Sequence, residues 1–223
     1  MLAPDTGVAL LAVVVAGLFL AAVRRARPRA FGPAVITLIA LMAVQWILAD
    51  RGVLAQWHRT PPPLMVFVVV MTTITIITAI RLGPAIVAEV PLWAIVATQV
   101  FRLPLEIVMH RAAELGVMPV VMSYSGFNFD VVTGASAIVV ALLMWARRAP
   151  RWLIVLWNLM GSVLLATIVT IAILATPMFA AFGADQVNTW VTTAPVVWLP
   201  GVLVQAALFA HVVLWRALAS RRV

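Results

Sequence analysis

The sequence predicts an all-α polytopic membrane protein, a bundle of seven transmembrane helices with the N-terminus outside and the C-terminus cytoplasmic. Three observations carry that expectation. Hydrophobic residues make up 65% of the 223-residue chain and charged residues only 10%, against about 45–50% and about 25% in soluble proteins. Mean hydropathy is +1.15. The apolar residues fall in seven runs, and the arginines fall in short clusters between them. A soluble enzyme, a disordered chain and a nucleic-acid binder are thereby excluded; the sequence pI near 11.8 reflects loop arginines, not a nucleic-acid face.

A bilayer core about 30 Å thick requires about 20 apolar residues of helix. The first run spans Val8 to Val23, the second Phe31 to Ala49, the third Leu64 to Ile80. The fourth opens near Pro84 or Pro91 and ends near Met109; the fifth covers Phe129 to Ala146, the sixth Trp152 to Ala175 and the seventh Pro195 to Trp215. No loop is long enough for a soluble domain, so residues 1–223 read as a single seven-helix transmembrane domain. Gly32–Pro33 and Gly83–Pro84 are read as the openings of helices two and four, because proline is tolerated in a first helical turn. Pro104 and Pro200–Gly201 are read as interruptions inside helices four and seven, each freeing a backbone carbonyl that must find another donor in the membrane.

The orientation follows from loop charge. Arg24, Arg25, Arg27 and Arg29, then Arg81, then Arg147, Arg148 and Arg151, then Arg216, Arg221 and Arg222 all fall on one side. The positive-inside rule makes that side cytoplasmic, which suits a bacterial-type inner (cytoplasmic) membrane. An odd number of spans is then required, and seven is odd. In helix one the arginines follow the apolar run instead of preceding it, the arrangement of an anchor and not of a cleaved leader.

Two absences bear on chemistry. There is no Cys, which removes thiolate nucleophiles and Fe–S clusters. There is no Lys, all 15 basic residues being Arg, so a retinal or pyridoxal Schiff base has no amine to form on. No cofactor is expected.

The most informative stretch is Gln99-Val100-Phe101-Arg102-Leu103-Pro104-Leu105-Glu106-Ile107-Val108-Met109-His110. Gln99, Arg102, Glu106 and His110 are spaced three, four and four, which puts them on one helix face. At 1.5 Å per residue, Arg102 falls roughly at mid-depth and Glu106 about 6 Å further out. Ionised groups at that depth cost at least about 2.5–3.5 kcal/mol each on insertion scales and must be paired inside the bundle. One reading is an internal Arg102–Glu106 ion pair, with Arg102 also capping the carbonyl freed by Pro104. The other is a binding site. Arg-then-Glu is the weaker order for such a pair, which favours further partners for both.

Those partners are sought at similar depth: Asn128 and Asp130 opening helix five, Tyr124 and Ser125 before them, and Asp185 and Gln186 in the last outer loop. The candidate ligand-binding set is therefore Arg102, Glu106, His110, Tyr124, Asn128, Asp130, Asp185 and Gln186, lining a polar cavity open to the outside. For Asn128 the alternative is a plain N-cap, and for Asp130 an acid placed by the helix dipole. The loops Gly116–Met122 and Pro177–Phe182 are unusually apolar and are read as interfacial packing or as lids. Thr72, Thr75 and Thr78 form a stripe on helix three, and Gln45, Asn158 and Gln205 are read as interhelical glue. His211 is placed near the inner end of helix seven. A zinc or manganese site drawing on His58, His110, Glu106, Glu114 or Asp185 lacks any recognised spacing, and Ser123 or Ser125 with His110 lacks a nucleophile elbow.

The function expected is binding or transport of a small anionic or amphipathic molecule, with Arg102 as the anion contact and Glu106 and Asp130 as polar or proton-linked partners. The alternatives are an accessory subunit of a larger membrane complex and a membrane-embedded enzyme on a lipid-like substrate. The partners expected are membrane lipids, such a ligand or other membrane subunits, and no nucleic acid.

Overall fold

The computed structural model describes residues 3–220; Arg221 and Arg222, two of the arginines used for orientation, lie outside the described residues. Helix α1 spans Pro4–Ala26, with proline in its first turn and Arg24 and Arg25 in its last. A 3₁₀ turn, Pro28–Ala30, reverses the chain into α2, Phe31–Asp50. Helix α3 is Pro63–Glu89. A short α4, Leu92–Thr98, and α5, Arg102–Glu114, form one interrupted crossing joined by a 3₁₀ turn at Gln99–Phe101. Then come α6, Val131–Trp145, α7, Arg151–Leu174, and α8, Val204–Ala219, the last preceded by a π turn at Leu199–Leu203. Among the described residues, six crossings are long and apolar enough to span a membrane. The 15-residue α6 reaches about 22 Å.

The helix boundaries revise two expectations. Gly83–Pro84 does not open the fourth crossing: α3 runs through Pro84 to Glu89, and α4 starts after Pro91. Gly83 instead lets α3 approach α8, since a Cβ there would lie 2.9 Å from Val213. Ala79, Gly83 and Ala210 make this a small-residue seam, the packing that brings helix backbones together in lipid. Pro104 does not sit in mid-helix either. The 3₁₀ turn has already broken the ladder, and Pro104 falls in the first turn of α5, where its missing N–H is tolerated.

Helix α8 is central, packing on α3, α7 and α4. In its spanning window 56% of residues are buried, against 6% for the crossing that contains α2. Helix α2 rests chiefly on α1 and barely meets α3; Ile36 and Ile39 point outward, 71% and 62% exposed. The alternation of directions gathers the arginine-rich turns at one end of the bundle and the long loops at the other.

The long loops fold back over the helix ends. Leu54 is buried with Ala49, Leu64 and Phe67. Met118 and Met122 are buried in the main core with Val8 and Trp190, while Val117 and Val120 stay exposed. Phe182 packs against that core and lies 6.5 Å from Phe127. Trp190 donates to Asp5 Oδ1 (2.8 Å), tying the last loop to the start of α1.

Candidate functional site

Four of the eight expected site residues converge, in an order the spacing did not foretell. Asn128 Oδ1 accepts the Asp130 N–H (3.1 Å), an Asx turn that opens α6. This leaves the Asp130 side chain free of any capping duty, and it turns to Arg102. Arg102 Nε donates to Asp130 Oδ2 (2.6 Å), and Arg102 Nη2 pairs with Asp130 Oδ1. The result is a two-pronged guanidinium–carboxylate contact, the strong geometry for such a pair. Close approach makes it reachable: Gly134 of α6 sits against the junction of the 3₁₀ turn and α5, and a Cβ there would lie 2.5 Å from Leu103 N.

Glu106 is left to an amide. Asn128 Nδ2 lies 2.9 and 2.8 Å from its two carboxylate oxygens and 3.1 Å from Met122 O. The internal Arg102–Glu106 ion pair is thus replaced by an interhelical Arg102–Asp130 pair and a separate Glu106–Asn128 contact. All four side chains are buried.

The third arm of Arg102 reaches a residue outside the expected set. Arg102 Nη1 is 2.9 Å from His211 Nε2. A guanidinium only donates, so Nε2 presents its lone pair and Nδ1 carries the hydrogen. His211 Nδ1 then donates to Asn158 Oδ1 (2.8 Å), and Asn158 Nδ2 returns a bond to His211 O (3.3 Å). Ser162 Oγ donates to Asn158 O (2.7 Å), and Trp215 Nε1 to Ser162 Oγ (3.1 Å). A continuous polar chain therefore crosses α5, α6, α8 and α7 inside the bundle. His211 lies in the middle of α8 at the level of Arg102, not near the inner helix end. Gly161 makes room for its ring, a Cβ there falling 2.5 Å from Cε1.

His110 and Tyr124 belong to a separate group at the long-loop end. Their rings stack at 4.1 Å. Ser125 Oγ is 3.3 Å from His110 Nδ1, and His110 Nε2 is 3.5 Å from Glu114 Oε1. This resembles a serine, base and acid in line, but the backbone N–H groups of Ser125 and the three residues after it are spent. The N–H groups of Ser125, Gly126, Phe127 and Asn128 go to Ser123 Oγ, Ser123 O, Val121 O and Ser123 O. None of these four is left to hold an oxyanion, and Glu114 also engages Arg111 (2.9 Å). Gln186 Oε1 accepts the Val121 N–H (3.4 Å), joining the two apolar loops, and Asp185 is exposed. Among the described residues, no group of three or more His, Asp and Glu is placed to hold a metal.

The large cavity of the bundle, about 690 Å³, lies elsewhere. It is bounded by α1, α2, α3, α4 and the start of α8, where α2 stands away from α3. Its wall is apolar apart from a few polar residues, among them Thr37, Gln45, Thr75, Gln205 and, at the arginine-rich end, Arg25. Gln45 Nε2 donates to Gly201 O (3.4 Å) and Gln205 Nε2 to Pro200 O (3.0 Å), carbonyls of the π turn. Both amide oxygens remain buried without partners. The reading of Gln45 as interhelical glue thus captures its donor side and misses the cavity beside it. Single polar residues in separate runs give no sign that they share a wall.

Comparison with family models, with curated proteins and with solved structures gives no match.

Proposed function

We propose that this integral membrane protein binds a small amphipathic molecule, and that the binding site is the cavity between α1, α2, α3 and α8. The observation that carries this reading is the cavity itself: about 690 Å³ with a mostly apolar wall, within the roughly 300–1,000 Å³ usual for small-molecule sites. It opens where α2 and α3 separate, so a ligand enters laterally from the hydrocarbon and needs no aqueous vestibule. The buried chain around Arg102 then serves as scaffold. Its Nε and Nη2 are paired with Asp130 and its Nη1 with His211, and the residue is 1% exposed, so an anionic ligand has no open approach to it.

Native mass spectrometry of protein gently extracted from its membrane tests this. Wild type is expected to carry an additional small mass that is lost in Thr75→Trp and Ala34→Trp, which fill the cavity from α3 and α2. A mass retained in both variants and lost in Arg102→Ala would return the site to the charged cluster. An additional protein chain in place of a small mass would favour the accessory-subunit reading.

A further inference from the structure

We infer that the cavity takes an anionic amphiphile with an extended hydrocarbon chain, its carboxylate or phosphate head at Arg25 and its chain running along α2 toward Gln45. This rests on the binding reading above and adds the charge and direction of the ligand.

Of the residues lining the cavity, Arg25 alone is charged. Its Nε donates to Glu89 O at the end of α3 (2.7 Å), which ties the guanidinium from α1 to α3 at that end of the cavity. Among the described residues its two Nη groups have no protein partner, and Glu89, exposed beside it, forms no ion pair with it. Arg24, Arg27 and Arg29 lie in the same turn, with Arg24 packed over the Phe31 ring at 5.7 Å. That end therefore attracts an anion, and a fork with two free arms matches a carboxylate or phosphate.

The opposite end has the opposite character. Gln45 Nε2 bonds Gly201 O and Met71 Sδ, Gln205 Nε2 gives one bond to Pro200 O, and both amide oxygens are buried without partners. Two unpartnered acceptors disfavour an anionic head there. Between the ends the hydroxyls of Thr78 and Thr98 bond carbonyls of their own helices, Ile74 O and Ile95 O, both at 2.7 Å, and offer little to a polar ligand, while the short hydroxyls of Thr37 and Thr75 carry no charge to compete with Arg25. From Ala30 to Gln45 the cavity follows α2 for about 22 Å. A volume of about 690 Å³ over that length describes a slot for an extended chain and not a rounded chamber.

The test uses the whole protein in neutral phosphatidylcholine nanodiscs and three spin-labelled probes of equal chain length: a fatty acid, its methyl ester and a monoacyl phosphate. In wild type the acid and the phosphate are expected to bind about tenfold more tightly than the ester, the scale of one charge-assisted hydrogen bond. Arg25→Gln should bring both down to the level of the ester, and Arg25→Lys should keep part of the preference. In wild type alone the preference should shrink as salt rises from ~0.01 M to ~1 M, because the Debye length falls from ~30 Å to ~3 Å around an exposed cation. Equal binding of acid and ester by wild type, or an unchanged preference in Arg25→Gln, overturns this inference and leaves the cavity reading standing. Unchanged binding of all three probes in Thr75→Trp overturns the cavity reading itself. The stronger of the two anionic probes identifies the head group.

Discussion

Arg102 shows how far residue spacing goes and where it stops. Charge inside an apolar run marks it as buried and paired, and that much is legible in the sequence. Its partner is not, because two acids lie within reach: Glu106 one turn along, and Asp130 on the next helix, swung inward by the Asn128 turn. The neighbouring helix wins because it offers two oxygens in line with the guanidinium fork. Removing one partner of a buried pair costs about 3–5 kcal/mol, whereas replacing both with apolar residues is often neutral. Arg102→Leu and Asp130→Leu should each lower the melting temperature in detergent sharply, and the double variant should melt above either single one; a double variant melting below both would mean the pair is not the dominant interaction of either residue. Gly161→Ala pushes against the His211 ring and Thr133, a case of overpacking worth about 1–3 kcal/mol. Gly17→Ala, with nothing within 4 Å of its Cβ, should melt like wild type.

At the scale of the element, apolar length locates the crossings and proline marks where helices are irregular. The irregularities themselves are set by neighbours. Pro200–Gly201 becomes a π turn because Gln45 and Gln205 satisfy its carbonyls and Trp198 anchors its start by donating to Met42 O (3.1 Å). Gln45→Leu should cost about 0.6 kcal/mol and at most about 1.7, the range of interhelical hydrogen bonds in membranes, read as a modest drop in melting temperature. Gly134→Ala is a harsher test of the break between α4 and α5, since the added methyl meets the backbone at Leu103 and Arg102. It should destabilise more than Gly161→Ala, whose obstacle is side chains; the reverse order would show that α6 can retreat from the junction.

For the whole molecule the contrast is between a core built on α8 and a peripheral α2. Spin labels on α2 and α3 should report a broader distance distribution than labels on α3 and α8, and the α2–α3 distribution should narrow when an anionic amphiphile fills the slot. Equal widths before ligand would show that α2 is held as firmly as the rest. By itself the sequence determined what scales with local composition: a helical, membrane-embedded chain, the number and rough limits of its apolar runs, and the fact that Arg102 and Glu106 must be satisfied inside it. Hydrophobic length and the cost of bare charge in hydrocarbon suffice for that. Only the tertiary structure decided which helices touch. Small residues such as Gly83 and Gly134 set the approach of α3 to α8 and of α6 to α5, and those approaches chose Asp130 over Glu106, brought His211 into the polar chain and closed the space over it. The same contacts left α2 and α3 packed on each other only lightly, so the cavity arose between helices that part along most of their length, a property no single run of residues encodes.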